Sequence, residues 1–82
     1  MTTYNTEMKI VTWNCHGALR NKFYNLLSLL ADIYIIQECE DPTQSHNQEY
    51  KAWAKHHLWI GSTKNKGLGI FSTEHIKIAP LD

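Results

Sequence analysis

Two residues able to do chemistry sit in matching places. Asn14 lies near the end of the run Lys9-Ile10-Val11-Thr12-Trp13-Asn14-Cys15, and Glu38 near the end of Ile33-Tyr34-Ile35-Ile36-Gln37-Glu38-Cys39. A carboxylate set in an apolar run is rarely buried unless it is paired or holds a metal. Mg2+ takes one or two carboxylates and completes its shell with waters and phosphate oxygens. An amide can donate to a phosphate oxygen or orient a neighbouring carboxylate. Strands joined through a helix normally run parallel, so their carboxyl ends lie side by side. Ligands of open α/β sheets collect at that edge. Asn14 and Glu38 together therefore read as the start of a metal or phosphate site. The competing readings are structural. Asn14 would satisfy the loop backbone leading to Gly17, and Glu38 would be a solvated strand-end acid beside Glu40 and Asp41.

Other reactive residue types carry less. His16, His46, His56, His57 and His75 form no ligand pattern and read as surface or interface residues. Cys15 and Cys39 follow the two candidates directly and read as buried free thiols. A zinc site needs more ligands at shorter spacing. Lys66-Gly67-Leu68-Gly69 lacks the strand–loop–helix context of a phosphate loop, so its glycines read as close packing or a bulge. Lys64 and Lys66 read as a solvated basic loop. Trp13 reads as core rather than as a base-stacking platform. Gln37 alternates against Glu38 and is expected on the other sheet face.

The elements that must position the pair follow from periodicity. Residues 1–7 read as a disordered lead. Residues 8–15 are β-branched and aromatic and apolar on both faces, as a covered strand requires. Residues 18–31 place Leu19, Phe23, Leu26, Leu27 and Leu30 at i, i+4, i+7, i+8 and i+11, which predicts one continuous helix on the sheet. A second strand spans residues 33–38 and stops at Pro42. Thr43 or Ser45 caps a second helix with Tyr50, Trp53, Ala54 and His57 on its stripe. Residues 58–61 and 67–72 form a hairpin, and residues 75–79 a last short strand. The expected fold is α/β, one mixed sheet with two helices in the order β-α-β-α-β-β-β. If both helices share one face, the other is left apolar and uncovered, which soluble monomers rarely tolerate.

Composition narrows the partners. The chain has 82 residues, and eight basic side chains balance eight acidic ones. A domain of that size buries only roughly 60–65% of its unfolded surface. Zero net charge gives no argument for a broad nucleic-acid or membrane footprint. No run approaches a membrane span. The polar N-terminus lacks a signal-peptide pattern, which points to the cytoplasm by default.

The segments taken together resemble a known family. Lys9-Ile10-Val11-Thr12-Trp13-Asn14 resembles the first motif of the endonuclease/exonuclease/phosphatase superfamily, and Ile35-Ile36-Gln37-Glu38 its second. Gly67-Leu68-Gly69-Ile70-Phe71-Ser72 is similar to a later strand of that family, and the three occur in family order. The resemblance implies an α/β sandwich of two mixed sheets and Mg2+- or Mn2+-dependent cleavage of phosphodiesters or phosphomonoesters, in DNA, RNA or small phosphate esters. It implies that Glu38 is a metal ligand and that Asn14 belongs to the same metal and catalytic site. The family's later aspartate–asparagine and aspartate–histidine motifs have no counterpart here. Residues 8–82 are therefore expected to be the N-terminal portion of such a domain, a partial sandwich inactive alone. The alternative is a non-catalytic α/β module that buries its open face on a partner or in a homodimer. A dinucleotide-binding unit fits less well, because Asn14-Cys15-His16-Gly17 offers a single glycine after the first strand.

Overall fold

The computed structural model describes residues 1–5 and 7–80, and within them the chain forms one mixed five-stranded sheet with two helices. Thr6, Leu81 and Asp82, which the expected lead and domain include, lie outside the described residues. The strands are β1 (Thr2–Asn5), β2 (Lys9–Asn14), β3 (Ile33–Cys39), β4 (His57–Thr63) and β5 (Lys66–Ser72), and the helices are α1 (Tyr24–Leu27) and α2 (Gln48–Trp53). Across the sheet the order is β1-β2-β3-β5-β4, with only the β2–β3 pair parallel. This is the expected α/β class. Among the described residues no helix is long and apolar enough to cross a membrane.

Both helices lie over one face. Val11, Tyr34, Ile36, Cys39 and Phe71 from the sheet join Leu19, Leu26, Tyr50 and Ala54 in a single buried cluster. Partly buried Trp53 packs against it, with ring centroids 4.7 Å from Phe71, 5.4 Å from Phe23 and 5.8 Å from Tyr34. Rings at these separations contribute beyond the area they bury. Gly69 leaves room for this packing: a Cβ there would lie 2.5 Å from the Phe71 ring and 2.8 Å from Cys39 Sγ. The close-packing reading of the glycine strand therefore holds.

The continuous helix expected over residues 18–31 is broken. It becomes a 3-10 turn, Leu19–Asn21, followed by the single turn of α1. Side chains from other elements take the backbone groups that a continuous helix needs. Glu40, 7% exposed, accepts from Leu19 N at 2.8 Å and Arg20 N at 3.2 Å, and pairs with Arg20 Nη1 at 2.9 Å. At the other end the Tyr34 hydroxyl accepts from Ala31 N and donates to Leu26 O. Leu30, left-handed at φ 51°, turns the chain there. Leu27 and Leu30 consequently leave the stripe and stand 51% and 82% exposed, while Leu29 packs inward.

Three other boundaries move. Residues 2–5 are not a disordered lead but pair antiparallel with β2, Thr2 opposite Thr12 and Tyr4 opposite Ile10. The outer edge of β2 offers unpaired backbone groups, and threonine and tyrosine suit a strand. Residues 75–79 form no strand. The preceding strand, β5, has β3 on one side and β4 on the other, so it has no free edge to offer. The chain instead turns through a Ser72 Oγ to Ile76 O hydrogen bond. Asn47, rather than Thr43 or Ser45, caps α2 by accepting from Tyr50 N, and Asp41 caps the turn that contains Thr43. His57 belongs to β4 rather than to the α2 stripe.

The second face carries Ile10, Ile33, Ile35, Leu58, Ile60, Leu68 and Ile70 by strand alternation. Pro80 joins Leu58, Ile60, Leu68 and Ile70 around an apolar groove of about 390 Å3. Ile60 is 72% exposed there.

Glu40 ties this packing to the backbone after β2. Replacing it with alanine strands two backbone donors, and the expected loss is about 2–3 kcal/mol in urea unfolding. Arg20→Ala, at a half-exposed guanidinium, is expected to cost about 1 kcal/mol or less. Equal losses would show that the charge pair, not the backbone capping, matters.

Candidate metal and phosphate site

β2 and β3 are parallel neighbours with Asn14 opposite Gln37, so both chain segments reach the sheet edge together. Regular alternation would send Glu38 to the helix face with Tyr34 and Ile36. The pairing of β3 with β5 instead shifts register between Ile36 and Cys39. Ile36 and Cys39 are both fully buried with two residues between them rather than one. That extra residue is a β-bulge, and Glu38 takes the left-handed conformation at φ 58°. A non-glycine residue in that region is held by its surroundings rather than by preference. The bulge corrects the expectation that Gln37 and Glu38 alternate, and it turns Glu38 toward Asn14.

Asn14 Nδ2 donates to Glu38 Oε2 at 2.6 Å, and Asn14 Oδ1 accepts from His16 N at 3.1 Å. The donor His16 N–H requires the amide oxygen and the carboxylate requires the amide nitrogen, so the two partners define which way the amide faces. Cys15 N donates to Gln37 O, and Cys15 Sγ contacts Glu38 O at 3.4 Å, which extends the strand contact past Asn14. Lys66 Nζ reaches Glu38 Oε1 at 3.3 Å. The hydrogen bond from Asn14, then that from Lys66, hold the Glu38 carboxyl below its ordinary value of 4.5.

The two expected site residues are therefore brought together. Neither the bulge nor Lys66 was legible. Lys66 belongs to the hairpin assigned to solvated loop, and only the β3–β5 pairing carries it to Glu38. Glu40 and Asp41 stand apart from the site. Glu40 binds the backbone after β2, and Asp41 accepts from Thr43 N and Oγ1. A polar cleft of about 400 Å3 beside the Arg20–Glu40 pair includes His46 and Lys64 but neither Asn14 nor Glu38. Cys15 and Cys39 are buried free thiols; burial raises both, and pushes Cys39 up to about 12. His57 stacks on Phe71.

The donor set suits a hard cation. Glu38 is half exposed, and its Oε1 meets only a lysine, at a distance longer than the ~2.7–2.9 Å of strong charge-assisted bonds. Mg2+ takes one or two carboxylates together with waters and substrate phosphate oxygens, and the site offers one carboxylate whose Oε1 carries the exposed Lys66 ammonium. Asn14 turns its nitrogen to Glu38 and its oxygen to His16 N, an arrangement that orients the carboxylate. Among the described residues no group of three His, Cys, Asp or Glu side chains could enclose a metal. No family model matches the chain, and no curated protein matches it closely enough to count as a relative.

Because Glu38 is depressed when folded, its contribution to stability is present above its unfolded value and is lost as pH falls through the folded one. Carbon-detected NMR should place its midpoint below 4.5. Asn14→Ala should move that midpoint upward by more than Lys66→Met does, since the Asn14 bond is the larger cause. The reverse ranking would mean that charge, not the amide, governs the carboxylate.

Proposed function

We propose that the chain is the N-terminal portion of a metal-dependent phosphoesterase or nuclease, with Glu38 the ligand for Mg2+ or Mn2+. The reading is carried by the meeting of Asn14 and Glu38 at adjacent parallel strand ends, achieved through a strained bulge. Strain of that kind collects where a side chain must be aimed. The bound cation would polarise a phosphoryl oxygen and stabilise the leaving group. Glu38 would offer it Oε1, the oxygen that the exposed Lys66 ammonium meets at 3.3 Å. Asn14 fixes the other oxygen, so the carboxylate does not rotate away. The likeness of residues 9–14, 35–38 and 67–72 to the motifs of the endonuclease/exonuclease/phosphatase superfamily supports the same reading. The substrate is a phosphate ester, DNA or RNA among the candidates, and the compartment that suits the free thiols is the cytoplasm.

The family's later aspartate–asparagine and aspartate–histidine motifs have no counterpart in the sequence, so the 82-residue protein is expected to give no Mg2+-dependent cleavage of DNA, RNA or a phosphomonoester. Mn2+ titrated into it should nevertheless broaden the NMR signals of Glu38 and Asn14 first. Glu38→Gln should abolish that broadening. Paramagnetic effects elsewhere, or cleavage that survives Glu38→Gln, would defeat the proposal.

A second reading draws on the uncovered face. A non-catalytic module that buries Ile60 and Leu68 on another copy of itself would show a mass that rises with concentration in sedimentation. Ile60→Glu would return it to a monomer, and Mn2+ would leave Glu38 unaffected.

A further inference from the structure

The described polar contacts of the Glu38 carboxylate come from two elements, and the cationic one has no part in the reading above. Lys66 opens β5 directly after the Lys64-Asn65 turn, where it pairs with Thr63 of β4. The next residue, Gly67, lies opposite Cys39 at the end of β3. Gly67 and Cys39 mark the helix side of the sheet, so Lys66 falls on the side toward which Glu38 is turned. Its stem passes close to Gly17, where a Cβ would stand 3.7 Å from Lys66 Cε. The ammonium then rests 3.3 Å from Glu38 Oε1, while Asn14 occupies Oε2. The position on Glu38 that a metal ion would need is the one this ammonium covers.

We propose that Lys66 is a positioning residue of the site, a tethered cation that holds Glu38 Oε1 and competes there with a divalent ion. The inference rests on the metal reading of Glu38 and adds a regulator of its affinity. The ion pair is exposed, 62% on the lysine side chain and 38% on the glutamate, so it is weak enough to yield. It also keeps a carboxylate of unfavourable backbone conformation aimed when no metal is bound. Lys64 is the built-in control. It lies two residues away in the same hairpin, lines the polar cleft, and its carbonyl accepts from Asp41 N.

The test is Mn2+ binding to the 82-residue protein, read from the EPR signal of free Mn2+ at low ionic strength. Wild type is compared with Lys66→Met, Lys66→Gln, Lys64→Met and Glu38→Gln. Both Lys66 variants are expected to bind Mn2+ about two- to fivefold more tightly, the range set by exposed ion pairs. Added salt should narrow that difference. Lys64→Met should remain near wild type. Unchanged or weaker binding in both Lys66 variants, with Glu38→Gln binding none, overturns the inference and leaves the metal reading standing. Equal tightening in Lys64→Met also overturns it, because net charge then explains the effect. Absence of binding in every protein, or binding that survives Glu38→Gln, overturns the metal reading and this inference with it.

Discussion

One extra residue in β3 organises this molecule. Without it, Glu38 would follow Tyr34 and Ile36 into the aromatic core, where a carboxylate without a partner is costly. With it, Glu38 turns to Asn14, and Cys39 takes the core position next to Gly67 and Gly69. Glu40, just past the end of β3, accepts from the backbone after β2. Two carboxylates only two positions apart therefore have different surroundings. One is turned to solvent and the other is fully engaged.

Much of the framework follows from local pattern. The runs around Val11 and Ile35 are β-branched and apolar on both sides, so they read as covered strands, and the segment between them implies a parallel pair. Asn14 and Glu38 were identifiable as strand-end residues on that basis alone. The bulge was not, because no residue type demands it. Glu38 adopts φ 58° between Ile36 and Cys39, both buried in the core. The helix over residues 18–31 misled for a related reason. Leu19, Phe23 and Leu26 of its stripe do face the core, but Glu40 and Tyr34, distant in sequence, claim the backbone groups at its two ends, and Leu27 and Leu30 are left exposed. β1 and the fate of residues 75–79 depend on which sheet edges are free, and that is a property of strand order.

The two faces divide the work. The helix face is tied by aromatic stacking around Trp53 and by phenol hydrogen bonds, Tyr34 to Leu26 O and Tyr50 to Glu40 O. The other face is held by the strands themselves, with Pro80 against its groove. Asn14, Glu38 and Lys66 gather at one end of that less covered side. A site there gains access to a large charged ligand and gives up the low-dielectric shielding that would strengthen each of its contacts.

The insertion of β5 between β3 and β4 has a kinetic consequence. The β4–β5 hairpin is local and closes on the microsecond scale of such units, about 1–10 μs. Docking its inner strand against β3 is different, because it closes the long loop that holds Pro42, α2 and β4, and loop-closure entropy opposes it. Lys66 travels with that hairpin. The three side chains at the sheet edge therefore meet only when the long-range β3–β5 pairing is complete, and a chain without that pairing carries Asn14 and Glu38 without their cation.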